Sequence, residues 1–177
     1  MMIIALLFSL PILAQAQNRI IRLPEREGED YNHLLEIIDV QVAGNPVAFD
    51  KTFFADENWL KNLKFRVKNV SGKSMMYVAL GFGLFEGINQ ELKPYASYQY
   101  GFVFSYGKPS DSKDKVTGKV FLKPNEEVEL SYDSLSELER KVLGKAGEGI
   151  FCKAEFMIAR VQFKDGTFED SDLVIRK

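Results

Sequence analysis

Leu63-Lys64-Phe65-Arg66-Val67-Lys68-Asn69-Val70 is the stretch that decides the fold. Apolar and basic residues alternate one for one, and a pleated strand sorts them into one buried and one wet face because successive side chains point to opposite sides. A sheet built on it is covered on one side, with lysine and arginine stems lying over the other. Ser71-Gly72-Lys73 turns the chain, and Met75–Phe85 returns as a long strand. Its Met76, Val78, Leu80, Phe82 and Leu84 share one face, and Ala79, Gly81 and Gly83 share the other. Asn69 and Gly72 are read as the source of the turn's unusual backbone angles, so the sequon Asn69-Val70-Ser71 is structural in this reading.

Tyr98, Tyr100, Phe102, Phe104 and Tyr106 then occupy every second position, which puts five rings on one face of an uninterrupted strand. Each large ring gains about 2 kcal/mol or more on leaving water, so core packing is the expectation, with several rings covering the bare backbone at Gly81 and Gly83. The competing use of the row is recognition: Tyr98, Tyr100 and Tyr106 could stack on a sugar or hold a peptide.

Working outward, residues 34–42 read as a strand closed by the turn signal Gly44-Asn45-Pro46, with residues 47–49 continuing along a sheet edge. Downstream, residues 119–122 and 127–132 read as short strands around a turn at Pro124-Asn125. One short helix is expected near residues 134–143, started by a capping box of Ser134 with Glu137 and stopped at Gly144. Leu135, Leu138, Val142 and Leu143 form its apolar face. The last element is a hairpin: residues 151–163, a two-residue type I′ turn at Asp165-Gly166, and Phe168–Ile175. Around Phe156 and Met157 the apolar parity shifts, which predicts a β-bulge or burial on both faces. About seven or eight strands with one helix make an all-β, mainly antiparallel sandwich of immunoglobulin-like type.

Residues 1–16 carry the uncharged apolar run Ile3 to Leu13 closed by Ala14-Gln15-Ala16, a signal-peptide pattern too short to span a hydrocarbon core of about 30 Å as a helix. No basic residue precedes Arg19, a departure from the usual charged start. Cleavage near Ala16 leaves Gln17 at the mature end, and no cysteine follows there to take a lipid anchor. The expected product is soluble and extracytoplasmic, periplasmic or secreted, without a transmembrane segment. Residues 17–33, rich in charge, are read as a flexible tether, and 34–177 as the single folded domain.

The segment Trp59 to Lys73, with Phe163-Lys164-Asp165-Gly166-Thr167, resembles a loose family of exported, uncharacterised bacterial proteins with an immunoglobulin-like sandwich. The resemblance implies that fold and an exported setting. It brings no catalytic residues, because it rests on strand and turn positions.

The 23 basic and 25 acidic residues are interleaved, so there is no concentrated basic face for nucleic acid. His33 is the one histidine and Cys152 the one cysteine. A nucleophile would have to share that single base, and Cys152 beside Ala154 and Phe156 reads as a buried, inert thiol. Asp165, Glu169, Asp170 and Asp172 offer hard oxygen ligands, but without EF-hand spacing; Asp170 and Asp172 would share a strand face as a weak calcium candidate. No catalytic residue, metal or cofactor is therefore assigned. The expectation is a non-enzymatic binding or interaction module with a protein or glycan partner. Alternatives are a carbohydrate-binding or carbohydrate-active protein using residues 98–106 and a structural envelope-assembly domain acting through a sheet edge.

Overall fold

The computed structural model describes residues 17–22, 33–86, 100–109, 121–146 and 150–175. Among them, the strands are β1 (Gln17–Arg22), β2 (His33–Val42), β3 (Asn45–Pro46), β4 (Thr52–Ala55), β5 (Leu63–Asn69), β6 (Met75–Phe85), β7 (Tyr100–Gly107), β8 (Glu127–Ser131), β9 (Lys153–Phe163) and β10 (Phe168–Ile175). One helix, α1 (Glu137–Ala146), follows a 3-10 turn at Tyr132–Ser134. The chain is an all-β sandwich, and its described pairings are antiparallel except for β1 with β9 and β10 with β2.

The first layer runs β7-β6-β9, and the far edge of β9 is divided between two partners. β1 pairs with Lys153–Glu155 and carries β4 outside it, while β10 pairs with Ala159–Gln162. The second layer is β10-β2-β5-β8, with the two residues of β3 against β2. β10 belongs to both layers: Phe168–Ser171 lie on β9 and Asp172–Ile175 run parallel to β2, with a register shift where the strand changes sheets. Such a crossing strand ties the layers along one side.

Between the layers, the strand that decides the fold behaves as its alternation requires. Leu63, Phe65 and Val67 are fully buried, while Lys64 and Arg66 are exposed. Phe65 projects from β5 into rings of the opposite layer, with centroids 5.0 Å from Phe82, 5.6 Å from Phe104 and 5.2 Å from Phe156. These tilted and edge-to-face contacts each contribute on the order of 1 kcal/mol beyond area burial.

The expected bulge in β9 is present: Gly81 lies opposite Ile158 and Phe82 opposite Phe156, so Met157 is the extra residue. It lets Ala154, Phe156, Ala159, Val161 and Phe163 all join one core despite their parity shift. A second register shift at the start of β6 puts Met75, rather than Met76, in the central core beside Val78.

Several local expectations are corrected. The tether does not begin at Gln17: Gln17–Arg22 form β1, because Ile20 and Ile21 find buried positions against β9, and His33 already opens β2. The rest of that segment, residues 23–32, lies outside the described residues. Of the short strand expected at 119–122, the described part is a single bridge from Leu122 to Met75. The helix starts later than expected, because Ser136 and Glu139 make the capping box: Ser136 N donates to Glu139 Oε2 at 2.8 Å, and Glu139 N to Ser136 Oγ at 3.2 Å. Leu135 and Leu143 are buried, but Leu138 is 72% exposed.

The turn at Asp165-Gly166 is not type I′, which needs positive φ at both central residues; Gly166 has φ +90° and Asp165 does not share that region. Gly166 N donates to the Phe163 carbonyl, and Phe163 N to that of Thr167, giving a three-residue loop with glycine at its left-handed position. Type I′ geometry occurs instead at Ala43-Gly44, between β2 and β3. Asn69 and Gly72 are absent from the left-handed region as well. Asn69 shapes its turn through a fully buried side chain, donating Nδ2 to the carbonyls of Lys73 and Leu122 and accepting at Oδ1 from Ser71.

Candidate functional site

The first layer ends in two unlike edges. At β7, one outward amide is taken by a side chain from the first turn of α1 and one hydroxyl by the preceding 3-10 turn. Val103 N points away from β6 and donates to Glu139 Oε1 at 2.8 Å, and Ser105 Oγ donates to the Ser134 carbonyl at 3.3 Å. Glu139 thus serves with one oxygen as a helix cap and with the other as the acceptor for a strand amide. Its charge, after burial, also raises the Tyr77 hydroxyl above its usual pKa, an effect Arg160 opposes.

Among the described residues, the β4 edge is bare. Ile20 N donates across to the carbonyl of Cys152, just before β9, whereas the Ile21 carbonyl accepts from Asp50 on the β4 side. Peptide groups alternate sides along a strand, so Arg19 and Ile21 are the β1 residues that face β4. Phe53, which is opposite Arg19, therefore bonds inward, and the N–H and C=O groups of Thr52 and Phe54 point out of the sheet. Phe54 is 77% exposed, the most exposed of the large apolar side chains among the described residues.

An anchor lies beneath β4. Phe53 turns its ring inward, edge-on to Trp59 at 5.8 Å. Trp59 is fully buried and donates Nε1 to the Phe151 carbonyl at 2.9 Å. Arg19, 1% exposed, donates to the same carbonyl and to Cys152 Sγ at 3.2 Å, with its guanidinium 5.9 Å from the Trp59 ring centre. One carbonyl thereby orders an arginine and a tryptophan, and through them the inward half of β4. Sequence reasoning missed this group because Arg19 was assigned to a tether and the pair Phe53-Phe54 is too short to show a period.

The aromatic row is split by this geometry. Phe102 and Phe104 are buried, opposite Phe82 and Leu80, and Tyr106 packs half-buried on the same core. They do not cover the glycine backbone as expected: Gly83 faces Gly101 and Gly81 faces Val103 in register, on the other parity. Tyr98 and the side chain of Tyr100 lie outside the described residues.

Asp170 is engaged by Arg160, at 2.7 Å and 3.3 Å in a two-point contact, and the side chain of Asp172 lies outside the described residues. Among the described residues, no three His, Cys, Asp or Glu side chains converge as a metal site. Cys152 is half-buried rather than buried, beside the Arg19 guanidinium.

On the second layer's outer face, Asp39, Gln41, Lys64, Arg66 and Glu129 line a shallow hollow of about 90 Å³. Its charges are paired along the register, Lys64 to Glu129 at 2.8 Å and Arg66 to Asp39 at 3.9 Å and Glu127 at 3.7 Å. Lys153, fully buried, pairs with Glu155 at 2.9 Å and lies 4.1 Å from the Phe85 ring centre. No described helix is long and apolar enough to cross a membrane. The chain matches no family model, no curated protein and no solved structure.

Proposed function

We propose that this chain is an exported, non-enzymatic interaction module that takes its partner at the bare β4 edge. The observation that carries the proposal is the outward row of Thr52 and Phe54: backbone donors and acceptors with no partner strand among the described residues, beside a 77% exposed aromatic ring, on a strand with no charge or proline of its own. Natural sheets blunt such edges with charge, proline or a covering element, so an uncharged one is a ready template for strand addition. Export is supported by the leader pattern of residues 1–16. The immunoglobulin-like arrangement and the exported family resembled by the Trp59 to Lys73 segment belong to the same proposal.

A photo-crosslinking amino acid placed at Thr52 of the exported chain tests it, with Lys64 as a control on the ion-paired face. Discrete adducts from position 52 alone are expected, and the mature end is expected at Gln17. Adducts of equal yield from both positions, or none from position 52, would refute edge binding.

A further inference from the structure

Resting on that edge-binding proposal, we infer that β1 is a strap that opens separately from the sandwich and takes the β4 edge with it. Docking of residues 17–22 then gates partner binding at β4. Little backbone joins this edge to the core. Among the described strands β4 pairs with β1 alone, and β1 meets β9 only at Ile20, Ile21 and Arg22, in parallel. Along its other side β9 is paired with β6 from Met75 to Phe85, so it keeps a long antiparallel neighbour whether or not β1 is docked. A strand with so short a parallel ladder belongs to the low end of local opening energies.

Specific contacts bind β1 and β4 into one unit. Ile21 is the β1 residue that joins the central core, and its carbonyl accepts from Asp50 N at 2.9 Å on the approach to β4. Ile20 N donates to the Cys152 carbonyl at 3.0 Å. Arg19 and Trp59 share the Phe151 carbonyl, and Phe53 meets the Trp59 ring edge-on. Undocking β1 therefore removes both the strand on which β4 is built and the guanidinium beside the ring that Phe53 meets. Without that neighbour nothing pairs with β4 to hold Thr52 and Phe54 in line, and the outward row is lost. Linkage runs both ways: a partner that extends the sheet at β4 holds β1 down.

Amide hydrogen exchange of the exported chain, set beside photo-crosslinking from Thr52, tests the inference. Ile20 and Asp50 are expected to exchange through one common opening, with protection about tenfold or more below that of Leu80, which has a strand on each side. Ile21→Asp puts a charge at a fully buried position. It is expected to abolish protection at Ile20 and Asp50 and to abolish the Thr52 adducts, while Leu80 stays protected. Protection of Ile20 equal to that of Leu80 would overturn the strap. Loss of Leu80 protection in Ile21→Asp would overturn it too, as would Thr52 adducts that persist once Ile20 protection is gone. If the unsubstituted chain gives no adducts from Thr52 and yet Ile20 and Asp50 open together, the strap stands and edge binding falls.

Discussion

The β7 and β4 edges of one layer solve the same problem in opposite ways. Both end a sheet and leave peptide groups without a neighbouring strand. At β7, the chain spends a helix and a carboxylate: Glu139 accepts from Val103 N, and Ser134 accepts from Ser105. At β4, the chain places Thr52-Phe53-Phe54-Ala55, secures Phe53 inward on Trp59, and leaves Phe54 in water. Among the described residues β4 is a short, uncharged and uncovered edge strand, which is the basis for proposing it as a contact surface.

The largest way to break this contrast is at Gly107, which ends β7 with φ +77°; a Cβ there would lie 2.2 Å from the Met76 carbonyl oxygen. Gly107→Ala is expected to cost about 3 kcal/mol in urea unfolding, because clash and left-handed strain coincide. A wild-type midpoint would show that β7 tolerates displacement.

Glu139 gives the next effect. Glu139→Ala removes the cap and the acceptor for Val103, for an expected loss of about 1–2 kcal/mol and faster exchange of the Val103 amide. Glu139→Gln keeps an acceptor but not the charge, so Tyr77 should titrate closer to its usual 10.0, as followed by ultraviolet absorbance.

Alkali probes the covered side more gently. Tyr77 and Tyr106 are both raised, chiefly by burial, with Glu139 and Glu126 adding to it. A group whose folded pKa lies above its unfolded one stabilises fully below the unfolded value, so this contribution is intact below about pH 10 and lost as pH rises through the raised values. Unfolding midpoints should fall in that window, and less so in Tyr77→Phe. The smallest effect on stability belongs to the bare side: Phe54→Lys should shift unfolding by no more than about 0.5 kcal/mol, since the ring it removes touches water.

Much of the fold could be read from residues because long strands carry their own period. The alternation at 63–70 had one sheet geometry that could satisfy it, and the parity shift at Phe156-Met157 had two, a bulge or burial on both faces; the one-faced strand and the bulge are what occur. What escaped was short or depended on distant partners. Ser134 and Ser136 both stand three residues before a glutamate, and only docking on Val103 decides which pair caps the helix. Arg19 looked like tether until the Phe151 carbonyl, 132 positions away, received it. The candidate edge was invisible for the same reason: Phe53 and Phe54 acquire opposite roles only once Trp59 lies beneath one of them.

Amide hydrogen exchange at Val103 and Phe54, measured on one sample across a dilution series, tests the contrast most directly. Val103 should stay protected at every concentration, and Phe54 should exchange freely in the dilute chain without its partner. Equal protection of the two amides at the lowest concentration, or a Val103 amide that exchanges as fast as Phe54, would contradict the account.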